Sequence, residues 1–597
     1  MPSSLEQSTR LGELTTPLGK DVLALSRFDG SEGLSELFEF RIEASSLKED
    51  LPLRDLIGQS VSVRVTTIGG GKQYFTGIAT EAQWLGVQDQ LFSYRIIVRP
   101  WLFLLSHRVN SRIFNQSTVS DIIAKVFNEH GFEFEDKADH TQVLEYCVQY
   151  QESDLAFVQR LMEQHGITYH FEFSADSHKL ILGGKQSFTP IAGGSREFVP
   201  QEHQHSRKAE RFSTLVPERQ FTSGKVALHD YDFEHASAKI DTDATASTDF
   251  THGDFERYDA TGRYVEQDDG DKYAKIQMDS LRAVDGRYHA SGDVLSAHAG
   301  NLVTIEKHPT ASLNKQYLIV RCYHSVVAET YRSGGGVGKG DSGYSGSYEL
   351  LDAEVNFVPP LITPCPIIAG PQTAVVTGRG DIDCDEYGRI LVSFHWEREG
   401  EKSMRCRVAQ VWAGRGWGGI FIPRVGMEVL VQFLDGNPDR PVVIGTVYNS
   451  QNEPPYLLPD KNTIAGWKSE STLGGGGYNE FVFDDYGGSE LVRMHAQRDH
   501  ETTVLNDERR DIGHDRTTNV GRDDTVTVGN DIHVTAGHKI TLEVGASKIV
   551  MDQQSITITS PTVTVEASVK FVSNAGVKSE HSAGGLMQLQ APMIKIN

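Results

Sequence analysis

The chain has 597 residues, far more than one hydrophobic core serves, so three or four domains are expected. Hydrophobic residues make up 38%, charged residues 23%, and 57 residues are glycine. This composition excludes a disordered chain and favours a loop-rich, strand-rich protein. The formal net charge of −24 argues against nucleic acid and anionic lipid as partners, because phosphate binding needs basic patches.

The N-terminus, MPSSLEQSTR, is polar and has no basic-then-apolar leader, so no signal peptide is expected. No apolar run approaches the roughly 18 residues of a transmembrane helix. The five cysteines are odd in number, widely spaced and form no CxxC pair. We therefore expect reduced thiols in a protein that is made in the cytoplasm.

Residues 1 to about 370 predict a mostly β region with two helices. Alternation of apolar and polar residues predicts strands at 38–44, 59–65 and 167–173. The first helix is expected to follow Ser120 and to end at Gly131, and the second to follow Ser153 and to end at Gly166. A glycine- and serine-rich run at 333–347 predicts a flexible linker.

Residues 372–459 predict a compact β domain. Five apolar runs of strand length, separated by Gly, Pro and Asp turns, occur at 390–396, 407–412, 419–423, 428–434 and 441–449. Five short strands in fewer than 90 residues suit a small closed barrel. The connector at 460–495 is too short for an enzyme domain, since domains rarely fall below roughly 50 residues.

From Val504 to Ala546 the chain repeats every eight residues. The corner positions are Val504, Ile512, Val520, Val528, Ala536 and Val544, and a glycine follows five of them. The segments between the corners alternate as a strand does, and glycine relieves the steric limit where the backbone turns. A solenoid coil within one chain needs roughly 20 residues, so one octad from each of three chains gives the simplest closure. We therefore predict an intertwined homotrimer with a charge of −72, three times −24.

The residues four and six after each corner should face the same way as the corner. Together they predict an apolar needle axis of Val520, Val528, Ile532, Val534, Ile540, Leu542 and Val544. In the earlier octads these positions hold Glu508 and Arg510, then Arg516 and Thr518, then Asp524 and Val526. We hypothesise an interior that is polar near the barrel and dry towards the tip, which a buried ring of Arg516 near a ring of Asp524 would support. Alternatively the charges point outwards, because unpaired buried charges cost several kcal/mol.

Motifs that resemble a known family occur along nearly the whole chain. They are GLSELFEF (33–40), RPWLFLL (99–105), QYQESDLAFVQRLMEQHGITYHFEF (149–173), DEYGRILVSFHWEREG (385–400), AGRGWGGIFIPRVGMEVLVQFLDGNPDRPVVIGTVYN (413–449) and GGGGYNEFVFDD (474–485). In this order they resemble VgrG, the spike protein of the bacterial type VI secretion system. That family looks like a fusion of the hub and needle proteins of a contractile phage baseplate.

The resemblance implies a mainly β, multi-domain protein with a few helices. Its parts would be a head of two barrel-like subdomains plus helices at 1–370, an OB-fold barrel at 372–459, a neck at 460–495 and a triple-stranded β-helix at 496–597. The implied partners are the Hcp tube hexamer, a PAAR-repeat tip protein, baseplate components and a secreted effector, bound directly or through an adaptor chaperone. The implied spike assembles in the cytoplasm and is then translocated into a target cell, whose envelope it punctures.

The sequence ends in QLQAPMIKIN, which places three apolar residues, Met593, Ile594 and Ile596, near the end of the needle. Three copies of these residues in water would form an apolar patch with three-fold symmetry. Patches of this kind usually mark binding surfaces. We therefore predict that this end binds the PAAR-type cap.

No residue pattern predicts catalysis. Asp381, Asp383 and Asp385 resemble the start of a calcium loop, but Glu386 stands where that loop needs glycine, so an acidic turn is expected. His203 and His205 have no third ligand nearby and predict an exposed polar stretch. We expect a protein that is not an enzyme and has no metal and no cofactor.

The sequence leaves one alternative function open and argues against another. The same architecture could serve as the central hub and spike of a phage or phage-like contractile particle, which neighbouring genes would distinguish. A β-helical polysaccharide-degrading enzyme or adhesin would need long single-chain coils, a secretory leader and a carboxylate cluster. The sequence shows none of these features.

Overall fold

The computed structural model describes residues 5–88, 90–138, 140–200, 202, 209–247, 250–328, 343–472 and 475–596. The chain divides into two compact units, Met1–Asp499 and His500–Asn597. The described residues are mainly β with a few helices, as the sequence predicts. None of the helices in this part of the chain is long and apolar enough to cross a membrane.

The first part of the head contains twelve strands. They are β1 Gly12–Thr15, β2 Ala24–Gly33, β3 Glu39–Ser46, β4 Ser60–Thr66, β5 Lys72–Gln88, β6 Leu91–Arg99, β7 Val109–Thr118, β8 Phe134–Asp136, β9 Val143–Ser153, β10 Thr168–Phe173, β11 His178–Gly183 and β12 Thr189–Phe198. The rest of the head adds β13 Arg211–Arg219, β14 Lys225–Asp230, β15 Ile240–Thr245, β16 Glu256–Asp259, β17 Gly286–Gly292, β18 Asn301–Glu306, β19 Gln316–Val327 and β20 Gly343–Asp352. Strand β20 corrects the linker prediction, because 343–347 belong to this strand; residues 333–342 lie outside the described residues.

One sheet of twelve strands organises the head. Its first half has the order β1-β4-β5-β6-β3-β2, with every neighbouring pair antiparallel. Its second half runs β19-β18-β12-β13-β17-β20, and β20 pairs again with β19, so these six strands close into a barrel. Strand β2 pairs with β19 and joins the two halves. Each half has its own hydrophobic core, one rich in Phe and Ile and the other lining the closed barrel.

The described residues of the head contain four α-helices: α1 Trp101–Leu104, α2 Val119–Asn128, α3 Asp154–Gln164 and α4 Gln267–Asp285. Helix α3 confirms its prediction, because the Ser153 hydroxyl accepts a hydrogen bond from the Ala156 amide at 3.1 Å. Helix α2 begins before Ser120, since its capping residue is Thr118, whose hydroxyl accepts from the Asp121 amide at 3.0 Å. Short 3-10 helices occur at Leu53–Asp55, Leu105–His107, Lys185–Ser187, Ala311–Leu313 and Leu434–Gly436.

Helix α4 was not predicted from the sequence. It begins with charged residues and contains Gly270, both of which weaken a helical pattern. The glycine is needed where it stands, because a Cβ at Gly270 would lie 2.5 Å from the Tyr264 ring. The helix buries Tyr273, Ala274 and Met278 in a small core that also contains residues of β14 and β15.

The domain after the head is a five-stranded sheet with the order β22-β21-β26-β27-β23. Its strands and a nearby hairpin are β21 Gln372–Thr377, β22 Leu391–Phe394, β23 Arg407–Val408, β24 Ala413–Gly414, β25 Trp417–Gly418, β26 Glu428–Phe433 and β27 Pro441–Val447. The predicted strand at 419–423 is wrong, and β21 takes its place in the sheet. The reason is packing: Ile420 and Phe421 are exposed in the chain, whereas Ala374 and Val376 of β21 lie in the core.

The five-stranded domain packs directly on the head. Ile113, Tyr146 and Val148, from β7 and β9, belong to the same apolar core as the domain's own strands. Asp439, which is partly buried, accepts a hydrogen bond from the Val148 amide at 2.7 Å, and Lys125 pairs with Glu399 at 2.8 Å. The head and this domain therefore form one continuous body.

The connector is a sheet of three antiparallel strands, β28 Ile464–Lys468, β29 Glu480–Asp484 and β30 Leu491–His495. The second unit contains β31 Lys539–Val544, β32 Ser547–Asp552 and β33 Ile556–Thr559, which pair within the chain as an antiparallel meander. The sequence repeat had predicted only stacked octads across three chains. The local pairing of 539–559 is therefore a difference between the prediction and the structure.

A buried ion network links β7 to helices α2 and α3. The Arg112 side chain is 1% exposed. It donates to Glu129 at 2.6 Å, to Asp154 at 3.1 Å and to Gln149 at 2.9 Å. Asp154 is fully buried, and its carboxylate accepts from Arg112 and, at 2.8 Å, from Gln149 Nε2.

We expect Arg112→Met to destabilise the head by about 3 kcal/mol or more, because Asp154 loses its buried ionic partner. The surface pair of Arg27 and Asp29 supplies the control, and Arg27→Met should change stability by less than about 1 kcal/mol. The measurement is urea unfolding of the full-length protein, followed by tryptophan fluorescence. Equal midpoints for the two variants would contradict the assigned role of the network.

Candidate functional site

The octad region has no strand partner inside its own chain. Residues 500–538, all of which the structure describes, contain no strand and no backbone–backbone hydrogen bond; one carbonyl, that of Gly537, accepts from the Gln553 side chain at 3.0 Å. Extended backbone leaves a row of N–H and C=O groups, and these groups are paired in nearly all folded proteins. This segment therefore has to pair with other chains.

The repeat has one side that is less exposed than the other. The corner residue Val528 is 46% exposed, whereas Leu505, directly after a corner, is 97% exposed. Val504, Ile512 and Val520 resemble Val528 in this respect. These four corners are thus about half exposed, whereas the later corner Val544 is 82% exposed, so a common face for all the corners stays a prediction.

The predicted axis residues fall into two structural settings. Val520, Val528, Ile532 and Val534 lie in the extended octads and are exposed in the single chain. Ile540, Leu542 and Val544 lie in β31, where only Ile540 is partly covered. Exposed apolar residues at this density are typical of surfaces that other chains cover.

The meander carries one apolar face. Cross-strand partners share a face, and Ile540 lies opposite Met551, while Leu542 lies opposite Ile549. The third strand extends the same two rows with Ile556 and Ile558. Three copies of this face would enclose a hydrophobic interior.

The charged octads make local ion pairs. Arg510 pairs with Glu508 at 2.5 Å, and Arg522 pairs with Asp523 at 2.9 Å. Arg516 and Asp524 are exposed in the single chain. Which of these side chains face the axis depends on the partner chains, so the change from a polar to a dry interior stays a prediction.

The end of the chain and the five-stranded domain add two further apolar surfaces. Met593, Ile594 and Ile596 are exposed, as predicted for a binding end. The hairpin of β24 and β25 carries Trp412 and Trp417, whose rings contact each other at 4.8 Å and remain more than half exposed. The sequence analysis did not single out this hairpin.

Each carboxylate of the acidic turn pairs with an arginine. Asp381 pairs with Arg424 at 3.2 Å, Asp383 with Arg405 at 2.6 Å and Asp385 with Arg389 at 2.5 Å; each carboxylate thus has its own cation. The three carboxylates therefore serve as structural ion pairs. His203 and His205 lie outside the described residues.

The head also contains a buried polar cluster that was not predicted from the sequence. The Glu32 carboxylate accepts from His298 Nδ1 at 2.8 Å and from His324 Nε2 at 3.0 Å. Cys322 lies beside them and is fully buried. Burial by itself raises the pKa of Glu32, but the charge of His298 and the hydrogen bonds from both histidines lower it to about 2.

This cluster was hard to find because Glu32 is 266 positions away from His298 and 292 positions away from His324. One local signal existed. In the apolar strand QYLIVRCYHSVV, Cys322 and His324 are two residues apart and therefore share a face. Polar residues on the buried face of a strand require partners.

The chain matches three protein-family models in order. The phage tail baseplate hub model matches residues 31–330. The type VI secretion system/phage-baseplate injector OB domain model matches 372–448. The bacteriophage T4 gp5 C-terminal trimerisation domain model matches 465–571.

Curated relatives and solved structures agree with these matches. The type VI secretion system spike protein VgrG1c of Pseudomonas aeruginosa is 37% identical over 525 residues, which cover 86% of this chain and 72% of the relative. VgrG1a of the same organism is 37% identical over 520 residues, which cover 85% of this chain and 80% of the relative.

Among solved structures, the E. coli c3393 protein is a type VI secretion component with structural similarity to the T4 tail proteins gp27 and gp5. It matches with a TM-score of 0.53 at 19% identity, covering 73% of this chain and all of that one. This likeness shows the fold alone. The sequence relatives show the family: the chain belongs to the VgrG spike proteins of the type VI secretion system, with a structural and non-enzymatic role.

Proposed function

We propose that three copies of this chain form the spike that caps the Hcp tube, carries a PAAR-type tip and an effector, and punctures the target envelope. The observation that carries the proposal is the octad segment, whose backbone makes no backbone–backbone hydrogen bond in its own chain. The match of 465–571 to a trimerisation domain supports three chains as the number that completes the needle.

The proposed needle is suited to mechanical load. Three interlocked chains pair every exposed strand edge with a neighbour, so pulling one chain away breaks many backbone hydrogen bonds together. The apolar residues of the octads and of the meander would be buried at the same time, which gives an interface larger than that of a standard complex. A structure of this kind transmits axial force without unfolding.

The head supplies the proposed base. Its two halves are joined by β2 and β19, and the five-stranded domain shares an apolar core with β7 and β9. A continuous body of this kind suits docking on the Hcp tube and on baseplate components. The trimer would assemble in the cytoplasm and reach the target cell by translocation, with effector carried directly or through an adaptor chaperone.

The far end supplies the proposed cap site. Met593, Ile594 and Ile596 are exposed in the single chain. Three copies around the needle axis would form an apolar surface of three-fold symmetry, which a small cap protein could cover. This surface would join the needle to the PAAR-repeat protein.

We expect the full-length protein to have a mass near three times 66.1 kDa by multi-angle light scattering. Truncation after residue 496 removes the octads and should reduce the mass towards that of one chain. A trimeric truncated protein would show that the head holds the chains together. A full-length monomer would contradict the proposed needle.

We expect Val528→Asp to lower the temperature at which the trimer dissociates, because it places three carboxylates at a corner predicted to face the axis. Leu505→Asp is the matched control, since Leu505 is 97% exposed and lies next to a corner. The measurement is light scattering on heating. Equal dissociation temperatures would contradict the predicted facing of the repeat.

We expect deletion of the last ten residues to abolish binding of a purified PAAR-repeat protein while leaving the trimer intact. Ile596→Asp should weaken binding at least tenfold, because it charges the apolar end. Lys595→Asp is the control, since it adds the same carboxylate at the same end of the chain without removing an apolar side chain. Binding is measured by biolayer interferometry on the immobilised trimer. Unchanged affinity of the deletion variant would contradict the cap site.

A further inference from the structure

The buried cluster lies where the two halves of the head sheet meet. Glu32 of β2 is the register partner of Cys322 of β19, and His324 follows two residues later on the same face. His298 reaches the cluster from the loop between β17 and β18. Glu32, Cys322 and His324 are all buried. Four side chains that commonly bind metals thus converge from both halves of the head.

The spacing of these groups suits one small cation. The ligand atoms of Glu32, Cys322 and His324 all lie within 4.8 Å of one another. His298 Nδ1 lies 2.8 Å from the Glu32 carboxylate. Zinc holds ligands at about 2.0–2.3 Å from the ion, which sets them roughly 3.3–3.8 Å apart. Shifts of about 1 Å or less would bring the ligand atoms of Glu32, Cys322 and His324 to that geometry, and His298, which is held by Glu32, would have to turn towards the ion as the fourth ligand.

The hydrogen bonds that link His324, Tyr344 and Tyr348 need one more proton than the two tyrosine hydroxyls supply. His324 Nδ1 lies 2.8 Å from the Tyr344 hydroxyl, Tyr344 lies 3.0 Å from the Tyr348 hydroxyl, and Tyr348 donates to the Val294 carbonyl at 2.8 Å. These three contacts need three protons, and the two hydroxyls supply only two. The third proton therefore belongs on His324 Nδ1, which donates it to Tyr344.

A neutral His324 ring with its proton on Nδ1 has a bare Nε2. That nitrogen faces the Glu32 carboxylate at 3.0 Å, so a positive charge has to lie between them: either a second proton, which makes His324 an imidazolium that donates to Glu32, or a bound cation. His298 repeats the pattern, because its Nε2 faces the Gln73 carbonyl oxygen at 3.4 Å while Nδ1 faces Glu32. Ligating histidines commonly donate their second N–H to an oxygen in this way.

The surroundings exclude water and balance the charge of a divalent ion. The Phe75 ring contacts the His324 ring at 4.9 Å and the His298 ring at 5.5 Å. A carboxylate from Glu32 and a thiolate from Cys322 together carry two negative charges. Zn²⁺ would neutralise both, and it would release the thiol proton to solvent on binding.

We propose that Glu32, His298, His324 and Cys322 bind one structural zinc ion that joins the two halves of the head across β2 and β19. A thiolate together with two imidazoles favours zinc over magnesium or calcium. Four protein ligands leave no open position, so the site is structural. The proposal does not depend on the spike function.

The test measures metal in the full-length trimer. Protein expressed with zinc and dialysed against metal-free buffer should contain one zinc ion per chain by plasma mass spectrometry. Cobalt(II) should replace zinc and give a thiolate charge-transfer band. Cys322→Ser should abolish that band and lower zinc affinity at least tenfold, because it removes the thiolate. Cys147→Ser, at a second buried cysteine of the head, should leave both unchanged.

A second variant leaves all four ligands in place. Tyr344→Phe removes the acceptor of the His324 Nδ1 proton and should weaken zinc binding by about tenfold or more in chelator competition. This variant tests zinc binding even if the Cys322→Ser variant does not fold. A wild-type trimer without zinc and without a cobalt band would overturn the proposal and leave a hydrogen-bonded cluster only. A band that survives Cys322→Ser would also overturn it.

Discussion

The unpaired backbone of the octad segment is the constraint on which the rest of this protein depends. A strand that makes no ladder in its own chain is stable only where other strands lie beside it. Residues 500–538 are all in this state. Folding of the needle is therefore inseparable from association, and its stability depends on the concentration of chains until the trimer forms.

The head, in contrast, completes its hydrogen bonding within one chain. Its twelve-stranded sheet pairs within one chain, and its second half closes on itself through β19 and β20. Closure removes the free edges of this half, and the strands of the head pair without any residue of the needle, so the head can fold before the needle associates. The shared core with the five-stranded domain then extends this rigid body along the chain. A base that is folded early would hold three needle segments close together.

Polar groups are concentrated at the junctions of this body. Arg112 connects β7 with α2 and α3, Asp439 connects the five-stranded domain with β9, and Glu32 connects the two halves of the head sheet. Buried polar groups are directional, so they fix how two elements sit together more strictly than apolar contacts do. A spike that transmits force through several domains would benefit from junctions of this kind.

Local patterns in the sequence identified much of the architecture. The eight-residue period required more than one chain, the Ser153 cap marked the start of α3, and alternation located most of the strands. Each of these features is decided by neighbours in sequence, which is why it could be predicted. Helix α4 was missed because its first turn is charged and Gly270 interrupts the pattern, although a contact with Tyr264 requires that glycine.

The sequence by itself determined the repeat, the order of the domains and the family that the chain resembles. Only the tertiary structure decided that β21 replaces the run at 419–423, that 539–559 pair locally, and that Glu32 meets His298, His324 and Cys322. These features depend on contacts between residues far apart in the chain or on which surface a strand finds to cover it. Such contacts cannot be predicted from a pattern of neighbouring residues, because they form only when the whole chain packs.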